Sequence, residues 1–520
     1  MKNLKHIIFW PILCLLLVVV IFSLTNTTGF LASMSSTNQW ILTYFGWAFA
    51  TAVLVFLFIV IMAYISPLGN VRIGGRNAQP MFSKWRWFSI TLCTTVATGI
   101  LFWGTSEPLF HFHNPPPGLD ILPGSAAAGQ FAMSTMFLHW TFIPYGIYTV
   151  TAITFALVYY NMKQPFSLGS LLFPLLGNRA HGGLSNIVDG ISLFSLIAGM
   201  AASLGAGLII LAGGLERLSG IEYSKFSLAL VALLVVGTFI LSAISGLMKG
   251  IRILSDINIK LFITLALFMA VFGPLWFMIK LGVAGFWEFI SHFFSRSLLL
   301  FDSENTSWAE KWTVFNWANW LAWTPITAVF LGRITVGRTV REVIRFNLLY
   351  PALFSCAWMV IFSGISLQMD QVTGNPMYTV LITEGGPSKV VFQILHNLPM
   401  RQITSIVFLF AAFLSYVTAA DSNTSAMSGI SAKGISPVSP EPSYWIKIIW
   451  GSLIGIIAWV MIAFSGEGAD RGLAGIRMLS NLGGLPALFL VILVSIALSI
   501  LVIKSFKPEF HLRNSSQKTK

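Results

Sequence analysis

Five tryptophans, Trp308, Trp312, Trp317, Trp320 and Trp323, fall within sixteen residues of one another. The last three are spaced by three, so on a helix they spread over about one third of the circumference. Tryptophans at a lipid interface form a belt, which accounts for Trp308 and Trp312. The other three lie about one to three turns deeper, where a belt does not explain them. A second segment carries Trp140, Tyr145 and Tyr148, with Pro144 loosening the helix between them. Rings of this kind have one distinctive chemistry. A quaternary ammonium has no N–H to donate, so a protein holds it with the negative faces of aromatic rings, at about 2 kcal/mol or more per desolvated contact. An aromatic stripe on one helix is more often core than cage; matching rings on a second helix favour the cage. Three ionisable residues also lie in apolar surroundings: Glu107, His139 and Asp421. Glu107 is shared between a site in the span and a solvated loop mouth. His139 reads as a hydrogen-bonded structural histidine, and Asp421, among hydroxyl and amide neighbours, as a satisfied network or part of an ion path. His111 and His113 are the one close histidine pair, and a spacing of two does not put both imidazoles on one helical face. Haem or copper chemistry therefore gains little support.

The elements that must position these residues are set by composition. Of 520 residues, 9% are charged and 56% hydrophobic, with a mean hydropathy of +0.80. Globular chains carry about 25% charged residues, so lipid must supply the missing apolar solvent. A cytosolic enzyme, a disordered chain and a disulfide scaffold are excluded. Cys14, Cys93 and Cys356 sit in apolar runs without metal-ligand spacing. The net charge of +13 lies mostly in short loops, where it reports membrane orientation rather than nucleic-acid binding.

A membrane helix needs about 20 apolar residues, and twelve stretches qualify: 7–24, 40–65, 87–110, 131–160, 187–212, 226–247, 261–281, 314–330, 344–367, 403–430, 444–464 and 485–503. Residues 286–301 mix aromatics with Glu288, His292 and Arg296 and read as an amphipathic helix in the interface. With the N-terminus inside, 22 of the 31 Lys and Arg fall on the cytoplasmic side, so both termini are expected there. The residues after Ile503 read as a short basic tail at anionic headgroups. Gly and Pro inside a span mark where a helix opens onto a cavity. The third span holds Gly99, Gly104 and Pro108 and the eighth holds Asn316, Asn319, Thr324 and Pro325, which points to an inverted-repeat transporter. The alternative is a proline kink with packing glycines. The expected divisions are 1–86 (two extra helices and a loop), 87–282 (first five-helix repeat), 283–310 (interfacial helix and linker), 311–504 (second repeat) and 505–520 (tail).

The segment Phe315-Asn316-Trp317-Ala318-Asn319-Trp320-Leu321-Ala322-Trp323-Thr324-Pro325, continuing through Gly332-Arg333 to Arg341-Glu342, resembles the signature of the betaine/choline/carnitine transporter family. Supporting matches are Phe102-Trp103-Gly104-Thr105-Ser106-Glu107-Pro108, His139-Trp140 with Tyr148, Lys249 to Asp256, and Thr418-Ala419-Ala420-Asp421-Ser422, in order along nearly the whole chain. The resemblance implies an all-α integral membrane protein of twelve transmembrane helices, a LeuT-type five-plus-five inverted repeat preceded by two extra helices. It implies a homotrimer in the bacterial cytoplasmic (inner) membrane that takes quaternary-ammonium or related onium solutes. By position the family's cage falls on Trp140, Tyr145, Tyr148 and Trp320, with Tyr145 where a Trp is commoner. Trp323 falls on a tryptophan of the transport path and Asn319 replaces another, which suits a smaller or more polar substrate. Trp317 completes the expected substrate-binding set. A candidate sodium site falls on Val96 and Thr418, with Ala419 losing the second hydroxyl. A second falls on Leu196 and Met200 and looks absent. The arginine and methionine of sodium-independent antiporters are here Asn258 and Thr327, so neither coupling scheme is complete, and the lean is toward cation-coupled uptake.

The expectation is thus a secondary transporter, with sodium or proton coupling and no cofactor, whose partners are an onium solute and the lipid bilayer and not nucleic acid. Carnitine-type exchange without ion coupling and osmosensing uptake are the alternatives. An ion channel would need a continuous polar pore, and an enzyme converging ligands or a nucleophile and base, which the sequence does not offer.

Overall fold

The structure is a computed structural model that describes residues 4–96, 99–245, 250–372, 376–383, 386–435, 442–464 and 473–507. Among these the chain is helical without a strand; its two isolated bridges are Leu4 with Ala432 and Arg72 with Thr339. Among the described residues ten helices are long and apolar enough to cross a membrane. An eleventh span results if Lys84–Val96 and Gly99–His113, which lie at 53° to one another, count together. Residues 97 and 98, part of the polar run expected to interrupt the third span, lie outside the described residues, as do Lys249 and the tail from 508.

The tryptophan-bearing helix, Phe315–Arg333, is not among the ten, although the sequence reads as a span there. Asn316, Asn319, Thr324 and Thr327 lower its hydropathy, and its surroundings make this tolerable. Every residue of it except Asn319 is buried. It is a central helix enclosed by Gly183–Ser219, Phe142–Ala156, Arg401–Ile430 and Leu473–Ser505. Protein rather than lipid covers it, so its surface need not be apolar. Small residues permit the close approach. A Cβ on Gly484 would stand 2.6 Å from the Ala318 carbonyl oxygen, and one on Gly199 would stand 2.9 Å from the Ala322 Cβ.

The seventh stretch differs from expectation. Its helix runs Gly250–Phe272, not 261–281, and stops at Gly273-Pro274, where the proline ring and missing N–H forbid continuation. A new helix, Leu275–Ser291, begins at once, followed by the short Phe293–Ser297. The single helix expected at 286–301 is thus replaced by the end of Leu275–Ser291 and the short Phe293–Ser297, with Trp276, Trp287 and Phe294 exposed. Hydropathy averaged across the Gly-Pro break and merged two helices. The second and twelfth helices begin well before their apolar runs, at Thr27 and Leu473. Their polar starts are tied to each other, Asn481 Nδ2 donating to Asn38 Oδ1 at 2.7 Å.

The basic loops after the second and eighth stretches also do structural work. Arg72 Nη1 donates to the Gly337 carbonyl at 2.9 Å, and Arg338 Nη2 to the Phe82 carbonyl at 2.7 Å. The backbones pair as well, Ile73 N with Arg338 O and Gly337 N with Ile73 O. Gly337 has φ +79°, and a Cβ there would lie 2.3 Å from the Gln79 backbone.

Candidate functional site

The ring residues of the fourth stretch are aimed by a break. Ala126–Trp140 ends and Phe142–Ala156 begins on either side of Thr141, at φ −119°, ψ −113°. Pro144 has no N–H to return to the Trp140 carbonyl, so the helix cannot close across this point. The Thr141 hydroxyl bonds the Phe137 carbonyl instead. Trp140 thereby leaves the end of one helix while Tyr145 and Tyr148 leave the first turns of the next.

All three rings meet Trp320. Its indole lies 5.7 Å from Trp140 at 72°, 5.7 Å from Tyr145 at 61° and 5.4 Å from Tyr148 at 67°, each an edge contact. None of the four residues is more than 3% exposed, so none faces lipid. Tyr145 is fixed by a 2.8 Å hydrogen bond between its hydroxyl and Ser355 Oγ. Trp320 Nε1 is buried with no hydrogen-bond partner. The four rings thus form one buried cluster of edge contacts centred on Trp320.

The remaining expected residues are placed elsewhere. Trp323 Nε1 donates to the Gly199 carbonyl at 3.0 Å, so its ring serves the helix contact. Trp317 stands perpendicular to His139 at 5.8 Å. Asn319 turns about 100° from Trp320, and its Oδ1 accepts from Ser480 Oγ at 3.0 Å. It does not join the rings, because one residue of helix rotation carries it to the opposite neighbour. Of the candidate sodium residues, Val96 ends the helix Lys84–Val96, which packs on Arg401–Ile430. Thr418 Oγ1 bonds back to the carbonyls of Leu414 and Ser415 at 2.9 and 3.1 Å. Leu196 and Met200 are buried and apolar, while the Met200 carbonyl accepts from the Tyr416 hydroxyl at 3.0 Å. Asn258 Nδ2 contacts Cys93 Sγ at 3.6 Å, and Thr327 Oγ1 donates to Asn423 Oδ1 at 2.6 Å. Asp421 receives the Ser242 hydroxyl.

Glu107 is not at a loop mouth. It is 1% exposed. Its Oε1 lies 2.6 Å from His139 Nδ1 and 3.2 Å from His111 Nε2, and its Oε2 accepts from Trp140 Nε1 at 2.8 Å. His139 Nε2 meets Thr313 Oγ1 at 3.1 Å. The structural reading of His139 stands, but the carboxylate at its centre also holds a ring of the cluster. The i, i+4 spacing of Glu107 and His111, one helical turn, was the available signal. His113 belongs to a separate pair, 2.6 Å from Asp370 Oδ2 and stacked on Tyr378 at 4.0 Å.

Residues 7–507 match the betaine/carnitine/choline family transporters. The chain is 30% identical over 497 residues to the glycine betaine transporter OpuD of Bacillus subtilis, covering 94% of this chain and 93% of the relative. It is 29% identical over 442 residues to the osmo-independent choline transporter BetT1 of Acinetobacter baylyi, covering 84% and 82%. It is 26% identical over 507 residues to the ectoine/hydroxyectoine transporter of Virgibacillus pantothenticus, covering 97% and 98%. These relatives are membrane transporters, not enzymes, and with a family match over almost its full length the chain belongs to the betaine/carnitine/choline transporter family.

Proposed function

We propose that this protein is a secondary active transporter of a quaternary-ammonium or related onium solute, of the glycine betaine, choline or ectoine kind that its relatives carry, working by alternating access. The solute's cationic group is held by Trp140, Tyr145, Tyr148 and Trp320. The observation that carries this reading is that three rings from one broken helix meet the single indole of another, all buried in the bundle. The supporting parts follow. The 53° bend at the third stretch suits a site whose walls rock about it, while the eighth stretch, expected to be interrupted as well, runs as one helix over Phe315–Arg333. The five-helix units 87–282 and 311–504 are the moving bodies in this reading, a homotrimer in the bacterial inner membrane with both termini cytoplasmic is the assembly, and uptake is driven by a cation.

The test is transport in proteoliposomes. Choline, glycine betaine and ectoine are offered with and without a sodium or proton gradient, for the parent protein and for Trp320→Leu. Saturable uptake of at least one solute, lost in the variant while the protein stays monodisperse, is expected. Uptake unchanged in Trp320→Leu removes the ring site.

A further inference from the structure

We propose that Glu107, His111 and His139 form a proton-binding site whose occupation opposes that of the ring cluster by a cationic solute. The proposal rests on the ring-site reading above and adds an ion to it.

A buried carboxylate with two imidazoles inside a membrane bundle is costly to keep without use. Here the three groups share one atom. Glu107 Oε1 faces both His139 Nδ1, at 2.6 Å, and His111 Nε2, at 3.2 Å, and all three residues are at most 1% exposed. These are hydrogen-bond distances, which suit a proton and not a metal. A zinc ion at about 2.0–2.1 Å from each donor would hold neighbouring donors more than about 3 Å apart, and the closest pair is nearer than that.

The cluster has a place for one more proton. With Nε2–H on His111 and Nδ1–H on His139 both donated to Glu107, the carboxylate is charged, both imidazoles are neutral, and the net charge is −1. His139 has its second nitrogen on the Thr313 hydroxyl. His111 Nδ1 is buried and has no partner, so its lone pair is open. The His111 ring lies 4.7 Å from Trp312 and 5.1 Å from Trp308, rings that receive the positive charge once a proton from water adds there. Protonation takes the cluster from −1 to 0 and breaks no bond.

The link to the solute is Trp140. Its N–H is given to Glu107 Oε2 at 2.8 Å, while its ring meets Trp320 at 5.7 Å. A cation among the rings therefore stands one indole away from the cluster. Opposite unit charges about 8 Å apart at an effective dielectric of about 20 attract enough to change affinity by tenfold or more. The unprotonated cluster supplies that attraction and the protonated one does not. Solute binding then expels the proton, and affinity rises as pH rises through the titration of the cluster.

Other charged groups stand on the neighbouring elements. Asp370 is paired with His113, and Glu216 with Lys389. Arg296 lies over the Phe131 ring and bonds Glu288. Arg477 lies over Trp312, on the ring that His111 also touches. Lys311 and the half-buried Glu310 sit at the start of the same segment. Tyr145 gives its hydroxyl to Ser355.

The experiment uses the purified full chain in detergent, titrated with choline, glycine betaine and ectoine. Proton release is read in weak buffer with an indicator dye, and dissociation constants are measured at about pH 5 and about pH 8. A fraction of a proton released per choline is expected, with Kd about tenfold lower at the higher pH. In Glu107→Gln the Kd should stay near its low-pH value at both. In His111→Phe the pH dependence should shrink while binding at the higher pH persists. Saturable choline binding with the same Kd at both pH values and no released proton overturns the proposal and leaves the ring site standing. Absence of saturable binding of any of the three solutes overturns the ring site itself. The measurement on the unmutated chain decides the matter even where a variant does not fold.

Discussion

Truncating Trp320 separates solute recognition from packing. Three rings touch this indole at 5.4 to 5.7 Å. An aromatic pair contributes about 0.5–1.5 kcal/mol beyond its buried area, so Trp320→Leu removes about 1.5–4.5 kcal/mol of native packing. That loss appears as a lower melting temperature and says nothing about a solute. The solute term is distinct. Removing one desolvated cation–π contact of about 2 kcal/mol weakens binding about thirtyfold. Trp320→Phe keeps a smaller ring in place, so it should retain most of the packing and lose affinity by less than the leucine variant. Equilibrium binding of radiolabelled choline or glycine betaine to purified protein gives the affinities, and thermal unfolding of the same samples gives the packing loss. The ordering expected for Kd is parent, then Phe, then Leu. A leucine variant that melts earlier yet binds within twofold of the parent would show that Trp320 is core and nothing else, and the ring site would have to be abandoned.

Three further outcomes follow from the geometry. Asn319→Ala should leave the solute Kd within about twofold, because Asn319 accepts from Ser480 and lies outside the ring cluster; the variant loses one hydrogen bond of about 1 kcal/mol, read as a small drop in melting temperature. A tenfold loss of affinity would restore it to the site. Gly484→Val should fail to accumulate in membranes or should melt far earlier, since even a Cβ would lie 2.6 Å from the Ala318 backbone oxygen; normal yield with unchanged melting would refute the close crossing of these helices. If a sodium ion uses Thr418, then Thr418→Ala should raise the sodium concentration for half-maximal uptake by about tenfold while leaving solute Kd at saturating sodium unchanged; an identical sodium dependence would remove Thr418 from the coupling site.

How much of this could be seen in advance depended on which physical signal each residue carried. The bilayer class and most helix positions were legible, because apolar run length is dictated by hydrocarbon thickness. The signal failed where lipid was not the neighbour. Phe315–Arg333 is covered by protein on almost every side, so its asparagines are no obstacle and its hydropathy is uninformative, while its tryptophan spacing still marked it. Gly273-Pro274 was visible in the sequence, yet averaging hydropathy across it moved a helix by about ten residues. Type and spacing marked Trp140, Tyr145 and Tyr148 on one segment, whereas Trp320 was singled out from Trp317 and Trp323 only by the family resemblance; the structure brings these four rings together. Spacing did not suffice for Trp317, Trp323 and Asn319. A residue three positions or one position along is rotated onto a different neighbour, and which neighbour stands there is a tertiary fact. Glu107 shows the same limit from the other side. A lone carboxylate near a span end is ambiguous, and only the arrival of His139 and Trp140 from another helix shows it as the centre of a buried hydrogen-bonded cluster. On the proposal above, the net charge of the cluster that Glu107 centres, set by the proton on His111, decides whether a cation is welcome among the rings.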